Sequence, residues 1–330
     1  MTAVLFTCAG QRVDIVSAFG RAGAFTVAAD ANPLAPALYH ADRHAVVPRI
    51  NAPGYVEALR GLVDEHDVRL VVPLTDLDQH ILAEAELGAT ALVPDVEVCA
   101  AMADKWLAHE LFLDRGIPTP GGWLPTDLPA ELPFPVLVKA RIGFGSRNIY
   151  RCTTAEQLRF HLAHTPVDSF VQAECAGKEF SIDVFSDLDA RCLNAIPRTM
   201  IESKGGESIK GMTIKDWELI EFGRTVSETI GIKGPANVQC FREPDGQLLV
   251  TDVNPRFGGG FPLPHAAGGR YPELALALAR GERPEPRLGE FREGVLMTRF
   301  FSQLTLIAAE DGTLEPFSEE LPEPIAEAEA

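Results

Sequence analysis

The sequence is poor in cysteine and in positive charge, and it has no long apolar run. Its six cysteines form no Cys-x-x-Cys pair, which favours reduced, mostly buried thiols over a zinc or dithiol redox site. With 29 basic against 47 acidic residues the net charge is −18, so general affinity for nucleic acid or anionic lipid is excluded. No segment approaches the roughly 20 apolar residues of a membrane span, and the first residues lack the pattern of an export signal. We therefore expect a cytoplasmic protein with neither a nucleic-acid nor a membrane partner.

Two phosphate-binding fingerprints are also missing. The turn after the first predicted strand, Thr7-Cys8-Ala9-Gly10-Gln11-Arg12, lacks the three glycines of a dinucleotide motif. Asp30 ends the next predicted strand, where dinucleotide folds place a ribose-binding acid, but a polar residue closing a strand explains it as well. The glycine loop after Lys139 lacks the Gly-Lys-Ser/Thr ending of a P-loop. Both a dinucleotide site and a Walker-type NTPase are disfavoured.

Length and pattern predict two or three domains. A chain of 330 residues exceeds what one hydrophobic core usually serves. Residues 1–93 alternate apolar strands with helices, which predicts a parallel sheet of Rossmann-like type. Residues 94–175 contain a predicted helix over 98–115, a proline-rich connector and strands around the glycine loop. Residues 176–308 indicate a mostly antiparallel sheet, and the Glu-, Pro- and Ala-rich residues 309–330 predict a loosely ordered acidic tail.

The strongest chemical signal is the run from Asp252 to Arg256. Two predicted strands flank the turn at 243–246, and a period of two places Asp252 and Asn254 on one face. Pairing across the turn sets Gln239 near Asp252, so three oxygen-bearing side chains converge, which suits Mg²⁺. Arg256 then adds a forked cation beside the metal. A merely solvated polar strand face is the weaker interpretation, because Asp and Asn are poor strand formers.

Three further features are weak when taken singly. Lys139 ends a predicted strand before a glycine loop, where backbone amides can approach phosphate closely, although a plain turn fits equally. Lys105 lies on an amphipathic helix, where a lysine ordinarily faces solvent. The segment 171–183 is a hairpin whose extended backbone could pair with an adenine edge while a carboxylate accepts from ribose hydroxyls.

Taken in order along the chain, these features resemble the ATP-grasp superfamily. Within it they are most similar to single-lobe proteins that correspond to one half of the carbamoyl-phosphate synthase large chain. The resemblance extends over about residues 1–300 and is most specific at the Asn-Pro-Arg run. It implies a mixed α/β and α+β fold: a Rossmann-like pre-ATP-grasp domain (1–93), an N-terminal part with a small lid (94–175) and a C-terminal part (176–308). The nucleotide would lie between two sheets.

The resemblance also implies roles for individual residues, with ATP and Mg²⁺ as cofactors. One or two ions are expected, since Asp252 stands where family members often carry Glu, and Mn²⁺ is an alternative metal. The implied metal ligands are Gln239, Asp252 and Asn254. The implied catalytic residues are Arg256, Arg198 and Lys139. The implied nucleotide-binding residues are Lys105, Lys139, Gly143, Gly145, Ser146, Glu174, Cys175, Ala176 and Glu179.

The implied reaction is ATP-dependent activation of a carboxylate as an acyl-phosphate, which an amine or similar nucleophile then attacks with release of ADP and phosphate. The expected partners are small-molecule carboxylates and amines, with a homodimer as the family's usual assembly. Two alternatives stay open: carbamoyl-phosphate synthase-like phosphorylation of bicarbonate or carbamate, and a non-catalytic ATP-binding regulatory module. For Arg198, a clamp on the substrate and a structural ion pair are equally consistent with the sequence.

Overall fold

The N-terminal part of the chain is a parallel sheet with helices on its faces. The computed structural model describes residues 1–143, 148–204, 207–300 and 302–317. Its first elements are, in chain order, β1 (Thr2–Thr7), α1 (Val13–Arg21), β2 (Ala24–Asp30), a 3₁₀ helix (Pro36–His40), β3 (Arg43–Val46), α2 (Tyr55–Glu65), β4 (Val68–Pro73), α3 (Gln79–Glu84) and β5 (Thr90–Ala91).

The strand order in this sheet is β3-β2-β1-β4-β5, and all pairs are parallel. Val4 and Phe6 of β1 are buried in one cluster and Ala3 and Leu5 in another. Burial on both faces explains why the strands are continuous apolar runs rather than alternating ones. The Rossmann-like sheet expected from the sequence is confirmed.

Two helices follow, α4 (Val96–Ala103) and α5 (Lys105–Asp114). The single helix predicted over 98–115 is therefore wrong. Asp104 has extended backbone (φ −124°, ψ 117°), and its carboxylate accepts from the backbone N–H groups of Trp106 and Leu107 at 2.8 and 3.4 Å. A side chain that caps the second helix thus ends the first. As a result Lys105 is the first residue of α5.

A small antiparallel sheet comes next. Its elements are β6 (Gly122–Trp123), β7 (Val136–Ala140), β8 (Ile149–Cys152), α6 (Ala155–His164) and β9 (Ser169–Ala173). The strand order is β6-β9-β7-β8. Val136, Val138, Val171 and Leu158 form its own core under α6.

The largest sheet has six antiparallel strands in the order β14-β13-β10-β11-β12-β15. Its elements are β10 (Lys178–Ser186), β11 (Cys192–Lys204), β12 (Glu207–Thr213), α7 (Trp217–Ile230), β13 (Gly234–Arg242), β14 (Leu248–Asn254), α8 (Pro262–Ala266), α9 (Tyr271–Ala279) and β15 (Leu296–Thr298). A short hairpin of β16 (Leu306–Ala308) and β17 (Leu314–Pro316) follows. The predicted acidic tail begins inside this hairpin, and its residues 318–330 lie outside the described residues.

The two faces of the large sheet differ in chemistry. Helix α7 buries Leu219 and Ile220 against one face, and it approaches so closely that a Cβ on Gly223 would come within 2.6 Å of Ile182 Cγ2. The opposite face is polar over β14, β13 and β10. In the described part of the chain no helix is long and apolar enough to cross a membrane.

Candidate nucleotide and metal site

A row of side chains crosses the polar face of the large sheet. Asp252 pairs with Gln239, Gln239 with Ser181, and Ser181 with Arg198. The approach of Gln239 to Asp252 expected from the hairpin is therefore observed. Because neighbouring strands lie about 4.8 Å apart, the Arg198 backbone is roughly 14 Å from that of Asp252. The adjacent row on the same face holds, in the same strand order, Asn254, Asn237, Asp183 and Ile196.

Asp252 lies where α5 and the hairpin of β13 and β14 meet. Lys105 Nζ lies 3.2 and 3.3 Å from its two carboxylate oxygens, and Asn254 Nδ2 donates to it at 3.2 Å. Burial acts to raise the pKa of Asp252, but Lys105 and Lys139 outweigh burial and hold the pKa below its ordinary value. The group is therefore an anion at neutral pH, as a metal ligand must be.

Lys139 reaches the same place from β7 in the small sheet. It is 7% exposed, and its Nζ donates to Gln172 Oε1 at 3.0 Å. Burial lowers the pKa of Lys139, and Lys105 adds to the effect, while Asp252, Cys175 and Glu179 oppose it. Two lysines that are weak signals singly are thus brought together by the fold.

The position of Lys105 depends on Asp104 and Arg141, which sequence reasoning missed. Arg141 binds Asp104 through both Nε and Nη2, the shortest contact being 2.6 Å, and the Arg141 carbonyl accepts from the Lys105 N–H at 2.8 Å. Arg141 follows β7 directly, so it ties the start of α5 to the end of the strand that carries Lys139. An Asp before a helical Lys is a capping signal that could have indicated Asp104. Of the predicted loop only Gly143 is described; Gly145 and Ser146 lie outside the described residues.

Arg256 is fixed next to the hairpin by an acid of the N-terminal sheet. Its Nε lies 2.9 Å from Asp76 Oδ2, and its Nη2 donates to Asn254 Oδ1 at 3.1 Å. Both side chains of this ion pair are partly exposed. The cation predicted beside the metal ligands is therefore in contact with one of them. Asp76 carried no signal in the sequence, since 180 positions separate it from Arg256.

Arg198 is 2% exposed and is paired with Asp183, its Nε lying 2.7 Å from Oδ2. Asn237 donates to the other oxygen of Asp183 at 2.9 Å. The loop after Arg256 packs directly on this pair, because a Cβ on Gly260 would come within 2.5 Å of Arg198 Cζ. Of the two roles considered for Arg198, these contacts support the structural ion pair. They also explain a glycine at position 260.

The hinge between the two antiparallel sheets contains the residues expected beside the adenine. Glu174 binds Arg151 Nε at 2.8 Å, and the Ala176 N–H donates to Glu243 at 3.2 Å. Burial raises the pKa of the Cys175 thiol to about 12, so it is no nucleophile at neutral pH. The hinge is therefore held by the ion pair of Glu174 with Arg151 and by backbone N–H groups that donate to Glu243.

Glu179 is the second residue of β10 and lies on the same polar face as Gln239 and Asp252. It is half-buried, and burial raises the pKa of its carboxyl although Arg198 and Lys139 both oppose the shift. The acid expected to bind ribose thus lies within electrostatic range of Lys139, as a shared nucleotide site requires.

The residues predicted as metal ligands suit a hard cation. They offer one carboxylate and two amide groups, and within the described residues no group of three or more His, Cys, Asp or Glu side chains could hold a metal by itself. Asp252 is the sole charged member of this set. A divalent ion here would share its coordination shell with nucleotide phosphates, which is how Mg²⁺ is usually bound.

Two family models match the chain. The model described as the PylC-like N-terminal domain matches residues 4–93, and that described as ATP-grasp in the biosynthetic pathway with Ter operon matches residues 166–300. The resemblance to the ATP-grasp superfamily expected from the sequence is confirmed. The second match includes the hinge, Glu179 and the whole hairpin of β13 and β14.

Solved structures of ATP-grasp proteins share this fold at low sequence identity. The biotin carboxylase domain of Hydrogenobacter thermophilus 2-oxoglutarate carboxylase is 20% identical, with a TM-score of 0.71 over 89% of this chain and 73% of that one. L-amino acid ligase from Bacillus licheniformis is 18% identical (TM-score 0.70; 89% and 78%). N5-carboxyaminoimidazole ribonucleotide synthetase from Thermotoga maritima is 18% identical (TM-score 0.67; 88% and 78%). No curated protein matches the sequence at a significant level.

Proposed function

We propose that this ATP-grasp protein is an ATP-dependent ligase that converts a carboxylate to an acyl-phosphate and joins it to an amine. The observation that carries the proposal is the convergence of Lys105, Lys139 and Arg256 on the carboxylate of Asp252 and its amide neighbours. These groups come from α5, β7 and the end of β14, and their combined charge suits a metal-bound polyphosphate. A structural role alone would not need two lysines acting on Asp252 together with an arginine on the neighbouring Asn254.

Each residue of the site would have a separate role in the proposed reaction. Lys105 and Lys139 would neutralise phosphate charge, and Arg256, fixed by Asp76 and Asn254, would face the phosphoryl group as it moves to the substrate. Glu179 would accept from the ribose hydroxyls. Catalysis then rests on positioning and charge, and no covalent enzyme nucleophile is needed.

Magnesium is the metal that fits the donor set, held by Asp252 with the amide oxygens of Gln239 and Asn254. When bound it would offset the negative charge of the phosphates. Each of these side chains belongs to one hairpin, so the metal position follows from the register of β13 with β14.

One alternative has a specific observation in its favour. A neighbouring structure, the H. thermophilus biotin carboxylase domain, is described in complex with MgADP and bicarbonate. Phosphorylation of bicarbonate would use the same nucleotide half-site with a smaller acceptor. The structural neighbours also include an L-amino acid ligase, which supports a carboxylate and an amine as the substrate pair.

A hydroxylamine trapping assay distinguishes the ligase from bicarbonate phosphorylation and from a regulatory module. The protein would be incubated with Mg-ATP and hydroxylamine, together with pools of amino acids, other carboxylates, or bicarbonate with ammonia. We expect ADP and a hydroxamate to form with a carboxylate pool, because hydroxylamine captures an acyl-phosphate. ADP release with bicarbonate alone would favour the alternative, and nucleotide binding without ADP release from any pool would favour a regulatory module.

The Asp252→Asn variant tests the metal assignment in the same assay. Loss of the single charged ligand should lower ADP release by at least about a hundredfold while the unfolding transition changes little. Asp245→Asn is the matched control: the same change in the turn of the same hairpin, where Asp245 merely accepts from the Gln247 N–H. Equal rates in the two variants would refute the assignment of Asp252.

A further inference from the structure

A cavity of about 520 Å³ lies beside α9, near the start of β11. Its walls are Asn194 of β11 and residues between 268 and 290. None of the residues placed above at the nucleotide site lines this cavity. It is therefore a separate candidate binding site, which the proposed ligase chemistry does not use.

The cavity has buried hydrogen-bond acceptors without donors. Asn194 is 2% exposed; its Nδ2 donates to the Gly269 carbonyl at 3.4 Å, which orients the amide, and its Oδ1 has no partner among the described residues. Glu273 Oε2 is likewise buried without a partner in that part of the chain, whereas Oε1 of the same carboxylate lies 3.6 Å from Arg270 Nε. Buried polar atoms are nearly always paired in native proteins. Two acceptors in one cavity wall offer places for the donor groups of a ligand.

The rest of the lining contains both signs of charge. It includes four arginines and four glutamates, so it is formally neutral in a chain of net charge −18. Arg270, Arg283 and Arg287 make only long ion pairs of 3.6, 3.6 and 3.7 Å, and more than half of each side chain is exposed. Exposed pairs of this length stabilise little. These guanidinium groups can therefore turn to a ligand carboxylate.

We propose that this cavity binds a small zwitterion of the free amino acid class. Its ammonium group would donate to Asn194 Oδ1 and Glu273, and its carboxylate would meet the arginines. A simple anion would leave the two buried acceptors unpaired, and a simple cation would leave the arginines without a partner. Leu274 and Ala277 in the lining offer apolar contact to a short side chain.

The first test uses the twenty standard amino acids as probes, without nucleotide, in thermal unfolding followed by titration calorimetry. We expect at least one to raise the unfolding temperature in a saturable way. The deaminated carboxylate and the decarboxylated amine corresponding to that amino acid should each bind at least about tenfold more weakly. No saturable effect from any amino acid, or equal binding of a single-charge analogue, would overturn the proposal.

Variants then locate the site. Asn194→Leu removes the acceptor at similar volume and should weaken binding by at least about tenfold, whereas Asn194→Asp retains an acceptor and should still bind. Glu273→Gln changes a second residue of the cavity lining and should also weaken amino-acid binding. Nucleotide affinity should be unchanged in all three. Wild-type affinity in both Asn194→Leu and Glu273→Gln would exclude this cavity.

Arg256→Ala distinguishes this cavity from the proposed substrate site. An amino acid bound as a ligase substrate beside the nucleotide would be lost in Arg256→Ala and kept in Asn194→Leu. We expect the reverse pattern. Failure of the ligase assay leaves this expectation unaffected, since the titration needs neither ATP nor turnover.

Discussion

Glu179 lies half-buried on the polar face, with burial raising the pKa of its carboxyl above the ordinary value. Below that pKa the group is neutral and accepts poorly from ribose hydroxyls, so nucleotide affinity should fall as pH falls through it. The loss should begin at a higher pH than for an unperturbed glutamate. Calorimetric titration with ADP from about pH 7 to about pH 5 would measure it.

The Glu179→Gln variant should bind ADP more weakly at neutral pH and show no such decline over the same range. Glu218→Gln is the control, because Glu218 lies on the exposed side of α7 and pairs with Arg242. The Glu218→Gln variant should keep the wild-type dependence of ADP affinity on pH. A decline that persists unchanged in Glu179→Gln would assign the titration to another group.

For single residues, the sequence predicts a contact only where a local pattern, such as a turn between two strands, brings the residues together. The period of two and one turn were enough to place Gln239 near Asp252, but the register shift at Gln239 and Cys240 that sets the two residues opposite each other could not be predicted. The ion pair of Arg198 with Asp183 and the contact of Arg256 with Asp76 could not be predicted. The first depends on the register of β10 with β11, and the second on contact between the N-terminal domain and the segment after β14; no local pattern records either.

Among the elements, the start of helix α5 depends on one capping residue, Asp104. Asp104 accepts from two N–H groups of the first turn of α5 and binds Arg141, which fixes Lys105 at the helix start. We expect Asp104→Ala to lower the free energy of unfolding by about 1–3 kcal/mol. It should also weaken ADP binding, because Lys105 is then no longer fixed near Asp252. Denaturant unfolding and calorimetry measure the two effects.

Asp216→Ala is a closely matched control for that variant. Asp216 caps α7 by accepting from the N–H groups of Glu218 and Leu219, and it binds Arg242 at 2.8 Å. It should lose similar stability but retain its affinity for ADP. Equal loss of ADP affinity in both variants would mean that general destabilisation, not the position of Lys105, explains the effect.

Element types were easier to predict than element boundaries. The alternating strands and helices of residues 1–93 and the two strands that flank the turn at 243–246 are observed, since apolar periodicity and turn residues define them locally. The break between α4 and α5 was missed because both helices are apolar enough to form one continuous pattern. The local signal for the break is the capping residue Asp104, and its contact with Arg141 fixes the break in the fold.

In the whole molecule, helix α3 and the turn before α1 in the N-terminal domain hold the segment that follows the hairpin of β13 and β14. Gln79 Nε2 donates to the Pro255 carbonyl at 2.7 Å, and Arg12 donates to the carbonyls of Phe257 and Gly258 at 3.0 Å each. These bonds join residues 176 or more positions apart. The N-terminal sheet therefore takes part in positioning Arg256, a role that the alternation of strands and helices in the sequence could not indicate.

Asp76→Ala tests this role directly. The pair with Arg256 is partly exposed, so its loss should change the free energy of unfolding by about 1 kcal/mol or less. Turnover in the hydroxylamine assay should nevertheless fall by about ten- to a hundredfold, because a misplaced Arg256 no longer faces the transferred phosphoryl group. ADP affinity should stay near the wild-type value, since Lys105 and Lys139 are untouched. Asp95→Ala removes another ion pair between distant parts of the chain, that with Lys233, and should leave turnover unchanged. If both variants turned over at the same rate, the N-terminal sheet would be a scaffold for the site and nothing more.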